Sequence, residues 1–436
     1  MSRGIRFGIK RATLATVVAL MSTTALAQPW AQREPQRRVL QQRPAPQQHQ
    51  PLQQRPVQPE AMAQAVAEPP AQLKGACFTK ESSNQDSIIS ACTAVIDNPK
   101  ERPAMQAAAY AARGDAYREK GEFDKAVEDL DKAMQLDPRN GTAIYNRGLA
   151  YRSKGEHDRA IADFDVALKL DPRNAATIHN SRSHAYYEKR DNERAIKDLT
   201  QAIKINPRYT LAIYNRAMAY RAKGEPDRAV PDFDAVIKAN PTDAYAYHNR
   251  GLAYRDMRDY DRAIRDFDQA IKINSSFTQA FNDRGLAYVS KGETDRAIED
   301  FDHVVLLNPK DAMAFNNRGL AYRNKGETDA AITNYDQAIS IQSDFALAFY
   351  NRGNANYDKR DYDRAIKDYN EAIKINPNYA LAYYDRGVVY YDRHDYERAV
   401  TDLSKAVELD PKDSLAYYNR GLTYRAKGEM DKALAD

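Results

Sequence analysis

The sequence predicts an all-α fold, a solenoid of stacked helix–turn–helix units, and three observations carry that prediction. The first is a period. Pro138, Pro172, Pro207 and Pro241 follow one another at 34, 35 and 34 residues. Ser275 takes the next slot, then Pro309, Ser343, Pro377 and Pro411, each 34 apart. A fixed spacing in this range marks one supersecondary unit stacked many times. The second is a pair of apolar stripes inside each period, and the third is a small residue at two fixed places. Numbered from Ala107 as position 1, nine complete repeats and part of a tenth reach Asp436, with one extra residue entering before the third.

Before the repeats come three segments. Residues 1–27 read as a secretory signal peptide. Arg3, Arg6, Lys10 and Arg11 precede an uncharged run that ends in Ala25-Leu26-Ala27, the charged start, short apolar core and small-residue end of such a signal. That run is too short and too rich in Ser and Thr for a stable membrane span. Cleavage is expected before Gln28, with export, to the periplasm of a Gram-negative bacterium or beyond the cell. Residues 28–72, dominated by Gln, Pro, Ala and Arg, lack the apolar surface to offset chain entropy and are expected to form a disordered linker. Residues 73–106 are expected to form an N-terminal helical capping segment. It holds the two cysteines of the chain, Cys77 and Cys92, and in an exported protein an isolated pair reads as a disulfide.

Each repeat reads as two helices. Apolar or aromatic residues at positions 4 and 11 (Ile144 and Tyr151, Phe315 and Tyr322) belong to the first. Glycine at position 15, as at Gly121, Gly155 and Gly326, suits a left-handed helix end. The second helix carries Ala160, Phe164, Ala167 and Leu168 at the spacing of one helical face. Proline at 32 is expected to stop it. Position 8 is Gly in eight repeats and position 20 is Ala in all ten, so the two helices should approach closely there.

With Tyr at 11, an aromatic or Leu at 24 and Ala at 27 added, the pattern resembles the tetratricopeptide repeat (TPR) family over residues 107–436. The resemblance implies a right-handed superhelix whose first helices line a concave groove through positions 2, 5, 6, 9, 12 and 13. It also implies a binding scaffold for proteins or extended peptides, not an enzyme. Local departures are Asn356 for Tyr at 11, and Arg190, Arg258, Arg360 and His394 for Gly at 15. Pro231, inside a second helix, is expected to distort the fourth repeat.

The hexapeptide NRGLAY, found at Asn146–Tyr151 and twice more, sets two polar residues before the glycine. Position 7 is Arg in all ten repeats, and position 23 is Asp in nine, with Asn334 the exception. An Arg–Asp ladder within or between repeats is expected. Position 6 carries Asn146, Asn215, Asn249, Asn317, Asn351 and Asn419. This array resembles the asparagine ladder in the TPR superhelix of O-linked N-acetylglucosamine transferases, which holds the backbone of an extended peptide. The resemblance assigns those asparagines to a peptide-binding groove, with Tyr145 and Tyr214 at position 5 and Arg152 and Arg255 at position 12. An amide can donate and accept towards any peptide unit. The same asparagines also read as bonding across repeats or facing water.

The formal net charge of +4 comes from the N-terminus. Residues 1–72 carry nine Lys or Arg against three Asp or Glu, which leaves 56 basic and 58 acidic residues in the remainder. That balance gives no electrostatic footprint for nucleic acid. The seven His show no metal-ligand spacing, and no cofactor or catalytic residue is expected. An alternative follows from the stop at Asp436, halfway along a second helix. The array would then be the targeting or substrate-binding part of a longer enzyme whose catalytic domain lies outside this chain.

Overall fold

The computed structural model describes residues 77–78 and 84–436. The signal-peptide and linker expectations lie outside them. Among the described residues there are 21 α-helices and no strand. They fall into two compact units, one ending at Pro241 and one running Thr242–Asp436. Within each unit a helix packs on the next in sequence, and a first helix also touches the first helix of the following repeat. The fold is all-α and built from stacked helical hairpins, as its periodicity requires.

In the unit ending at Pro241, the helix Gln85–Ile96 packs on Pro103–Glu119. Pro103 stands at the first turn, where its missing N–H is harmless, so this helix begins ahead of Ala107. Cys77 and Cys92 are joined by a disulfide, and both are buried against Ala109. The extra residue before the third repeat is absorbed in a 3-10 turn, Pro172–Asn174.

The glycine of NRGLAY has a more specific partner than the expected small-to-small contact. A Cβ on Gly148 would lie 2.8 Å from the Phe164 ring, and one on Gly251 or Gly319 would lie 2.7 Å from Phe267 or Tyr335. Position 8 is empty so that the position-24 side chain can fill it. Phe164, Phe233, Phe267, Phe301, Tyr335 and Tyr369 are accordingly among the most deeply buried side chains.

The turn at position 15 takes φ between 78° and 86° at its six glycines, and Arg190, Arg258, Arg360 and His394 adopt φ of 61–63° in the same place. A left-handed residue with a Cβ costs about 1–2 kcal/mol. The next residue compensates. After these four it is Asp191, Asp259, Asp361 or Asp395, and each carboxylate accepts from a backbone N–H of the second helix. After the glycines it is Glu, with no such cap. A side-chain cap stabilises by about 1 kcal/mol, which is the right size to offset the strain.

Proline marks the end of most second helices but is not required there. The helices Tyr260–Ile273 and Thr328–Ile341 end at the same repeat position as the others, although Ser275 and Ser343 replace proline. At the first of these an Asx turn suffices, Asn274 Oδ1 accepting from the Ser276 N–H at 3.1 Å. Pro231 lies inside Pro226–Ala239, which keeps the 14-residue length of its counterparts, but the first turn differs: the Arg228 N–H bonds the Glu225 carbonyl, where the other second helices bond from the residue after it.

Candidate functional site on the first-helix face

Two polar frameworks hold the first helices. Position-7 arginines form one of them. Arg147 donates through Nε and Nη2 to Asp163, at 2.8 and 2.6 Å, and through Nη1 to Asp131 of the preceding repeat, at 2.6 Å. Arg284 repeats the arrangement with Asp300 and Asp268, and Arg352 with Asp368 and Asp336. The ladder therefore runs both within and between repeats. Asn334 accepts a single bond from Arg318. Burial outweighs the pair at Asp300 and pushes its carboxyl up, against the pull of Arg284. Such a half-buried pair is weak evidence for stability, because desolvation offsets much of its attraction.

The second framework involves the candidate groove residues directly. A side chain at position 5 bonds one at position 6 of the next repeat. Tyr145 reaches Ser181 at 2.8 Å, and Asn215 donates to Asn180 at 2.9 Å. Asn317 donates to Asn282, Asn351 to Asn316, and Asn419 to Tyr384, at 2.7–2.8 Å. Asn215, Asn249, Asn317 and Asn351 are buried, Asn215 to 1% exposure. Asn249 donates to the Tyr245 carbonyl. Four of the six amides thus spend a donor on the preceding repeat, and Asn249 spends one within its own helix. Asn146 and Tyr214 are part-exposed. The signal for this framework was present in the sequence as polar or aromatic pairs 35 residues apart, and Asn180, Ser181, Asn282 and Asn316 are the members the reading passed over.

Charge on this face is distributed unevenly. Arg255 donates to Asp283 at 2.6 Å, and His248 lies 2.8 Å from the other carboxylate oxygen. Burial alone would raise the Asp283 carboxyl, but Arg255 and His248 hold it well below the usual range. Arg323 pairs with Asp358 in the next repeat at 2.6 Å. Arg152 is different. Its guanidinium makes no hydrogen bond or ion pair among the described residues. Burial pulls its guanidinium below the ordinary value; nearby Arg118 adds to that, while Tyr145 and Glu188 oppose it. The buried His184 imidazole is pushed down to about 3 by burial and the Arg152 charge. It is therefore neutral at pH 7, within 3.0 Å of the Asn215 amide nitrogen.

No group of His, Cys, Asp and Glu among the described residues is placed to hold a metal ion, and no described helix is long and apolar enough to cross a membrane. No curated protein matches the chain. Among solved structures it is similar to a tetratricopeptide repeat protein from Parabacteroides merdae ATCC 43184, at 19% identity and a TM-score of 0.50, over 57% of this chain and 99% of that one. It is also similar to yeast Tom70, at 17% identity and a TM-score of 0.47, over 80% and 87% of the two chains. Models described as TPR repeat match residues 114–151, 285–326, 319–360 and 389–428. Others described as tetratricopeptide repeat match 142–174, 181–244, 244–277, 346–379 and 368–401. With its period, its Gly-to-ring contact and its paired helices, the chain belongs to the tetratricopeptide repeat family.

Proposed function

We propose that this protein is an exported, non-catalytic scaffold whose first-helix face binds an extended segment of a partner protein. A TPR array commonly serves protein–protein interaction, since its stacked helices present a long continuous surface. The observation that carries the finer reading is Arg152, a part-exposed residue whose guanidinium has no hydrogen bond or ion pair among the described residues. An incoming carboxylate would restore the charge-assisted hydrogen bonds that it lacks. Tyr187, at position 12 of the next repeat, is part-exposed and offers apolar surface on the same face, and burial pushes its phenol up. The segment bound here is therefore acidic. Export is supported by the pattern of residues 1–27 and by the Cys77–Cys92 disulfide, a bond that persists in oxidising compartments.

The test is a set of acetylated, amidated peptides differing only in glutamate or glutamine at the centre, titrated against the full chain and against Arg152→Gln. The glutamate peptide should bind about tenfold tighter, one charge-assisted contact being ~1.5 kcal/mol, and Arg152→Gln should erase the difference. Equal binding of both peptides to the native chain would refute the acidic-segment reading.

A further inference from the structure

We propose that Asp385 and the tyrosines around it form a site for a cationic side chain, lysine or arginine, carried by an extended peptide. The proposal rests on the reading of the first-helix face as the binding surface, and it assigns the ligand chemistry of the Thr242–Asp436 unit.

The argument uses the repeat as its own control. Position 6 is an acid at both Asp283 and Asp385. Asp283 has Arg255, 28 residues earlier, and His248, 35 residues earlier, bonded to its two oxygens. At the equivalent places before Asp385 stand Tyr357 and Tyr350. Tyr350 donates its hydroxyl to Asp385 Oδ2 at 2.7 Å, replacing the histidine. Tyr357 replaces the arginine but turns its hydroxyl to Asp392, also at 2.7 Å. No cationic group is within bonding distance of Asp385 among the described residues, because the nearby Arg323 is committed to Asp358. The fold has kept the acid and removed both of its bases.

The surroundings suit a cation. Burial and then the Asp385 charge push up the phenols of Tyr350, Tyr369, Tyr379 and Tyr384. The ring centroids of Tyr350 and Tyr379 are 5.0 Å apart. Tyr350, Tyr357, Tyr391 and Asp385 itself are part-exposed, so a side chain can reach them. A cation reaching Asp385 would meet the part-exposed Tyr350, whose ring face attracts positive charge. Left without its cation, the carboxyl is pushed up to about 6 by burial and by Asp413 and Asp358, against the pull of Tyr350 and Arg323. A bound cation relieves that penalty.

The experiment uses the full chain at pH 7 and three probes: an acetylated, amidated alanine-rich heptapeptide with one central lysine, the same peptide with acetyl-lysine, and n-butylammonium chloride. The lysine peptide should bind at least tenfold tighter than its acetylated twin, and Asp385→Asn should abolish the difference. Tyr357→Arg, which rebuilds the arrangement of Asp283, should abolish it as well while raising the melting temperature. If neither peptide binds but n-butylammonium raises the melting temperature of the native chain and not of Asp385→Asn, the cation site stands and the peptide-groove reading falls. Equal binding of the two peptides, or no effect of any probe, overturns the proposal.

Discussion

In the Thr242–Asp436 unit, Arg255 and Asp283 neutralise each other across adjacent repeats. In the unit ending at Pro241, the same two repeat positions hold Arg152 and Ser181, a base without its acid. Further along, they hold Tyr357 and Asp385, an acid without its base. The backbone slots are equivalent, so the contrast lies entirely in the side chains. A repeat array can close a charge inside the stack or leave it open on the surface by changing one residue of a pair. Sites in such a protein are best sought where the internal pairing rule fails.

The largest effect should come from breaking the closed pair. Arg255→Ala would leave Asp283 with His248 alone, and an ion pair this enclosed costs about 3–5 kcal/mol when one partner is removed. Both side chains are less than a quarter exposed, so solvent screening does little to reduce that figure. Hydrogen exchange of the helices Ala244–Asp256 and Thr278–Lys291 is the suitable measurement, because repeat arrays open locally. A loss below about 1 kcal/mol would mean that the pair is solvated and that the contrast with Asp385 carries no weight.

The next effect separates the two open sites by pH. Asp385 has a folded value of about 6 against 3.8 for an ordinary carboxyl, so between these values the folded state holds the extra proton. Stability then falls as pH rises through that window, by about 2–3 kcal/mol in all. His184 behaves oppositely. Its folded value of about 3 lies below the ordinary 6.5, so in that window the unfolded chain holds the extra proton and stability is lost as pH falls. Asp385→Asn should therefore be more stable than the native chain at pH 7, with the gain shrinking towards pH 4. His184→Gln should gain relative to the native chain as pH drops from 7 to 4. Parallel slopes in both variants would contradict the assigned environments.

The period, the two helices of each repeat and the Arg–Asp ladder were legible because they recur, and recurrence averages out local exceptions. The partner of the position-8 glycine was less legible, since a small residue announces closeness without naming what fills the space. A second helix can end without proline at its stop, as at Ser275 and Ser343, and can run through one, as at Pro231, with a changed bond in its first turn. A proline rule speaks of one N–H, whereas packing against neighbouring repeats sets the length of the helix. The asparagines were ambiguous for a chemical reason. An amide that can hold a peptide backbone can also hold the next repeat, and a distance such as 2.8 Å from Asn351 to Asn316 shows one donor spent on the neighbouring repeat. That Arg152 and Asp385 lack an ionic partner was hidden for a related reason: it shows only after every pair has been drawn.

The smallest expected effect sharpens the comparison from the other side. Ser181→Asp would place an acid opposite Arg152, where Asp283 stands opposite Arg255. Tyr145 could still donate to it, as Tyr350 does to Asp385. A new charge-assisted bond brings about 1.5–3 kcal/mol, and desolvating a carboxylate at a site only 5% exposed takes back a large part of it. A net gain of about 1 kcal/mol, seen as slower exchange in the helices Gly141–Ser153 and Ala175–Glu188, is the expected result. The same variant should lose its preference for the glutamate peptide, because the guanidinium would then be satisfied from within. A gain in stability with that preference intact would place the peptide's carboxylate elsewhere on the face, and Arg152 would be a strained residue of the scaffold instead of its contact with a partner.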